Sequence, residues 1–204
     1  MVWNRLMEWL HIAVLFILLN ILWVFGCIIG LGIFGLIPST VATMDVIKDR
    51  MYFKTDYSYF EIMKHFFKCF SRVFKHHKLV SFVPSVLLIV FMLEWFLIRG
   101  VAILRAGFII PITLIIFYLI IMILNSSYLM TVEKNIDLSY AKFIVLSPLV
   151  FLKSSLVIVI SLITFFILSI SYPLLNLFSV ALFIFTVHRV LKMDYAKKGW
   201  GVLE

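Results

Sequence analysis

His65 and Cys69 stand four residues apart in a segment that also carries His76 and His77. On a helix that spacing puts an imidazole and a thiol on one side, where they could hold a soft metal ion. No second ligand pair follows at a useful spacing, and Lys64, Lys68 and Lys75 would repel a cation, so these histidines read as part of a solvated basic face. No metal or cofactor is expected. Hydrolase elbows, phosphate-cradling glycine loops and HExxH are absent from the sequence, and an enzymatic role is not expected. Glu94, Arg99 and Arg105 form the next charged cluster and read as a local ion pair rather than an anion site. Asn20, Ser161, Thr164 and Asn176 fall inside apolar runs. Polar groups at membrane depth are costly, and interhelical hydrogen bonds are the ordinary reason for keeping them; a substrate path is the sharper alternative.

The elements that position these residues belong to a bilayer. Of 204 residues 64% are hydrophobic and 14% charged, and a soluble domain of this size leaves too much surface in water to hide such a composition. Five apolar runs approach the roughly 20 residues a helix needs to cross the hydrocarbon. They lie at about 12–36, 79–96, 107–130, 154–171 and 173–191. Gly26, Gly30, Gly32 and Gly35 in the first run allow close approach by another helix. Ser171, Tyr172 and Pro173 alone separate the last two, which predicts a tight helical hairpin. A net charge of +8 is common in nucleic-acid-binding proteins, but here the basic residues are scattered between apolar runs, and no nucleic-acid partner is expected. Of the 18 Lys and Arg residues, all but Arg5, Arg99 and Arg105 fall between spans one and two, between three and four, or at the end of span five and after it. The positive-inside rule then predicts an N-terminus outside and a C-terminus in the cytoplasm. The expected fold is a single all-α domain of five transmembrane helices in the cell membrane, with amphipathic cytoplasmic helices.

The largest cytoplasmic segment is 38–78. Pro38 suits the first turn of a short helix, followed by Ser39 and Thr40. Ser58 and Glu61 have the spacing of a capping box that opens a second helix. In that helix Tyr59, Met63, Phe66, Phe67, Phe70, Val73 and Phe74 recur at three- and four-residue steps, while Lys64, Lys68, Arg72 and Lys75 mark the basic face. Anionic lipid or a protein partner is the expected counterpart of that face. The stretch 137–153 is a weaker echo, with Asp137 as an N-cap and Tyr140, Phe143 and Ile144 on its apolar side.

With these residues in place, the chain resembles the YesL-like family of bacterial integral membrane proteins, a domain of unknown function. The resemblance rests on Asn20, Leu22 and Trp23 in the long first span, on Gly35, Pro38, Ser39, Thr40 and Ala42 after it, and on Phe60, Phe66, Phe67, Phe70 and Phe74 leading into the second. Ile37 stands where the family usually has glycine before the proline. No catalytic residues come with the resemblance; Asn20, Trp23, Gly35, Pro38, Ser39 and Thr40 are implied as structural or partner-contact positions. The association of such proteins with ABC-type sugar importers implies an accessory or regulatory role in carbohydrate uptake, with the permease or ATPase subunits as partners. Two alternatives stand beside it. One is a small transporter acting as an oligomer; the other is a membrane-surface protein reading anionic lipid through the basic face.

Overall fold

The structure is a computed structural model that describes residues 2–32, 34–53, 58–76, 78–100, 102–133 and 138–198. Among these residues it is all helical. The helices are α1 (Val2–Ile29), α2 (Leu36–Lys48), α3 (Tyr59–His76), α4 (Lys78–Arg99), α5 (Ala102–Val132), α6 (Leu138–Val150), α7 (Leu152–Ser171) and α8 (Ser179–Lys197), with 3-10 turns at Arg50–Phe53 and Pro173–Leu177. Four stretches are long and apolar enough to cross a membrane: Leu6–Ile29, Val80–Arg99, Arg105–Val132 and Leu152–Ser171. Their outward surfaces carry large apolar side chains such as Ile28, Phe96, Ile110 and Phe166, as lipid-facing helices do.

The expected fifth span does not form as one long apolar helix. Pro173, lacking an N–H, starts a 3-10 turn, and α8 begins only at Ser179. Its last turns then carry Arg189, Lys192, Asp194 and Lys197, which shortens the apolar stretch. The hairpin itself forms: Phe165 packs edge-on to Phe183 across it, and the Ser154 hydroxyl donates to Asp194 at its base.

The segment 38–78 divides into two unlike parts. α2 is the most enclosed helix of the fold, with Ile37 to Met44 all buried, and it packs against α1, α3, α4, α5 and α8. α3 lies on the surface beside it, burying Ile62, Phe66, Cys69, Phe70 and Val73. The buried stripe is thus rotated from the expected one, because Tyr59 and Phe74 remain exposed. Ser58 caps the helix as expected, though its hydroxyl accepts the N–H of Phe60 rather than that of Glu61. Asp137 lies outside the described residues.

α2 turns back along α1. The Trp23 indole N–H donates to Thr40 Oγ1 at 3.1 Å, and further along the pair Gly26 faces Ser39. α1 also runs antiparallel to α8. Its Phe16 touches Phe185, whereas Asn20 donates through Nδ2 to the carbonyl of Asn176, ahead of α8, at 2.9 Å. Lys48 at the end of α2 donates to the carbonyl of Thr131 at the end of α5, at 3.0 Å. One end of the bundle therefore collects the start of α1, the ends of α2, α5 and α8, and the start of α7. The start of α1 and the end of α8 therefore lie at the same end of the bundle.

Candidate functional site

Two arrangements bring the expected site residues together. The first is the α1–α2 hairpin. Gly35 stands against the backbone of Gly26 and Cys27, so closely that a Cβ there would overlap the Gly26 carbonyl. Small residues at this crossing let the backbones touch, with the chain's own α2 as the second helix. Pro38, third residue of α2, occupies the first turn, where its missing N–H costs nothing. Ser39 and Thr40 are buried; the Thr40 hydroxyl accepts from Trp23 and donates to the Leu36 carbonyl at 2.7 Å. Trp23, Gly35, Pro38, Ser39 and Thr40 thus line or close one hairpin, whereas Asn20 ties α1 to the turn ahead of α8. The visible work of the hairpin residues is to hold it shut.

The second arrangement is α3 on α2. Asp45, a residue the sequence pattern did not single out, projects from α2 toward α3. Its carboxylate lies 3.2 Å from His65 Nε2 and 3.7 Å from Arg72 Nη2. Arg72 also reaches the Cys69 sulfur at 3.2 Å. Full burial of Phe-, Ile- or Val-sized side chains contributes about 1.5–3 kcal/mol each, whereas a partly exposed ion pair contributes about 1 kcal/mol or less. Docking of α3 therefore comes from Ile62, Phe66, Phe70 and Val73, and Asp45 fixes which way the helix is turned. Lys64, Lys68 and Lys75 face outward as a result, while Arg72, at the edge of that face, turns its guanidinium toward Asp45 and Cys69. Burial and the Asp45 carboxylate, partly opposed by Arg72, push the Cys69 thiol up to about 12.

The remaining candidates stand apart from these two arrangements. His65 and Cys69 join no metal-binding group; among the described residues no cluster of His, Cys, Asp and Glu has that arrangement. His77 lies outside the described residues. No ion pair links Glu94 to Arg99 or Arg105 among the described residues. Arg99 instead lies over the Trp95 ring, 5.6 Å from its centre. Thr164 is exposed and bonds back to the Ile160 carbonyl at 2.8 Å.

The interior is more polar than the apolar runs suggest. Asn125, Ser126 and Ser127 are fully enclosed on α5, joined by Ser81 and Ser85 on α4 and by Ser39 and Thr43 on α2. Most satisfy themselves by bonding one turn back, as Asn125 does to the Ile121 carbonyl at 2.9 Å and Ser127 to that of Ile123 at 2.8 Å. Asn125 sits mid-run, and its polarity was the available signal.

No curated protein and no solved structure matches the chain. Residues 16–95, which run from within α1 through most of α4 and include both the hairpin and α3, are similar to a family described as a protein of unknown function, DUF624.

Proposed function

We propose that this chain is an accessory or regulatory protein of the cell membrane that works by binding and not by catalysis. The observation that carries this reading is the fixed presentation of α3: its apolar side is spent on α2, its rotation is set by Asp45, and Lys64, Lys68 and Lys75 are held outward on its free side. A helix whose apolar face is already buried in its own bundle has less to insert into lipid than an independent amphipathic helix. Its free face suits the acidic surface of a partner. The YesL-like resemblance narrows that partner to the permease or ATPase subunits of an ABC-type carbohydrate importer.

In this reading the basic end of the bundle is cytoplasmic. α4, α5, α7 and α8 with its preceding turn cross the bilayer, and α1 enters from the cytoplasm with α2 as its return leg. Both termini then face the cytoplasm, which the positive-inside rule favours given Lys48, Lys153, Arg189, Lys192 and Lys197 at that end.

The test is affinity purification from native membranes in mild detergent, with mass spectrometry against an untagged control. Importer subunits in near-equal amounts are expected, and the Lys64→Gln/Lys68→Gln variant should lose them while remaining membrane-integrated. A protein recovered alone, as a homo-oligomer, would overturn the accessory reading. The oligomeric transporter would then stand first, with one observation in its favour: the side-chain oxygens of Asn20 and Asn125 are buried without a hydrogen-bond partner.

A further inference from the structure

The groove between α1, α2 and α8 plays no part in the reading above. It is an open cleft of about 830 Å³, within the range of small-molecule sites. Phe16, Phe53 and Phe185 form its floor, with ring centres 5.6 to 6.3 Å apart. Lys48, Arg189 and Lys192 stand around it, and no acidic side chain is among the described residues that line it. Two of the cations are held in place. Lys48 is tied to the Thr131 carbonyl, and the Arg189 guanidinium lies 5.2 Å from the centre of the Phe185 ring.

The lining is graded along one side of α8. Leu182, Phe185, Arg189 and Lys192 follow at steps of three, four and three, so they share a face that turns from apolar to cationic over about 15 Å of helix. The apolar part lies toward the membrane interior and the cations toward the basic end. A glycerophospholipid has the same profile, from acyl chain to phosphate. Three cations without a carboxylate would repel the ammonium of a zwitterionic headgroup and favour one of net negative charge.

We propose that this cleft binds one anionic phospholipid, with its phosphate held by Lys48, Arg189 and Lys192 and an acyl chain laid over Phe16, Phe53 and Phe185 toward Leu182. The site rests on the basic end lying at a membrane surface and does not depend on any protein partner. Its failure and that of the accessory reading are therefore separable. It is also distinct from the α3 face, whose cations stand on another helix.

The experiment uses the full chain, delipidated in detergent and titrated with phosphatidylglycerol or phosphatidylcholine, with bound lipid counted by native mass spectrometry. Phosphatidylglycerol should bind more tightly than phosphatidylcholine. The Arg189→Gln/Lys192→Gln variant should lose about tenfold or more of that affinity, as expected for two cations near a charged headgroup. Lys64→Gln/Lys68→Gln should leave it unchanged. Glycerol phosphate, the headgroup chemistry without acyl chains, should not compete at matched concentration. Equal binding of the two lipids, or full affinity in the Arg189→Gln/Lys192→Gln variant, would overturn the proposal. Effective competition by glycerol phosphate would overturn it in favour of a soluble-phosphate site. If the charge variant fails to fold, Ala196→Trp fills the cleft from its exposed wall and should abolish the preference; its persistence would overturn the proposal equally.

Discussion

The Cys69 thiol lies on the buried side of α3, close to Asp45 and Arg72. Burial disfavours the thiolate, the Asp45 charge adds to that, and Arg72 only partly compensates, so the group moves from 9.0 to about 12. Because the folded state holds this proton more tightly than the unfolded chain, the associated stability is fully present below pH 9 and is lost as pH rises toward 12. Reactivity follows the same sign. Iodoacetamide at pH 8 should modify Cys69 at least about a hundredfold more slowly in the folded protein than in denaturant, since the thiolate is the nucleophile. Peptide mapping separates it from Cys27, and equal rates in the two states would show that α3 is not seated as described. The spacing of His65 and Cys69 drew attention to the right helix for a different reason. Their shared orientation serves Asp45, which lies twenty residues earlier than His65 on another helix, and no local pattern joins the two.

At the scale of elements, the α1–α2 hairpin shows how a break in helix survives in an apolar setting. The N–H groups of Gly30, Leu31, Gly32 and Phe34 all donate within the turn, to Gly26, Ile28, Cys27 and Gly30 respectively. Little backbone is left unpaired for lipid to penalise. The bonds of Leu31 to Ile28 and of Gly32 to Cys27 form a Schellman closure, whose left-handed position usually takes glycine. Here Leu31 occupies it at φ 55°, with its side chain 79% exposed. Leu31→Gly should therefore raise stability by up to about 1 kcal/mol, because a side chain there strains the backbone and packs on almost nothing. Gly35→Ala has the opposite sign, since its Cβ meets the rigid backbone of Gly26 and Cys27. Heating the detergent-solubilised protein and measuring the folded remainder by size exclusion should order them Leu31→Gly, wild type, Gly35→Ala. A Gly35→Ala variant as stable as wild type would show that the two backbones do not touch. The glycines and Pro38 made this hairpin's parts legible in sequence. Its partner was not legible, because small-residue spacing says that something comes close and not what.

For the whole molecule, periodicity and hydropathy were enough to find the four helices long and apolar enough to cross a membrane, the basic helix and the closing hairpin, since each depends on neighbours along the chain. The path between them depended on a 13-residue helix too short for a span and too apolar for water, α2, whose place is decided by contacts with five other helices. Under the proposed topology, with α2 as a return leg inside the bundle, the lysines and arginines favour a cytoplasmic start for α1. His11 bonds to the Tyr52 carbonyl at 3.2 Å, and Ile12 shares the cleft with Lys192 and Ala196, so the start of α1 and the end of α8 lie at the same end of the bundle. Epitope tags ahead of α1 and after α8 should both be protease-accessible in inside-out vesicles and protected in intact spheroplasts. A tag at 100–101, between α4 and α5, should behave in reverse. A tag ahead of α1 that is cut from outside, while the one after α8 is cut from inside, would mean that α1 and α8 run in the same direction across the bilayer. The antiparallel contacts of Phe16 and Asn20 with α8 and the turn before it could not then exist, and the cleft that Phe16 lines would vanish with them.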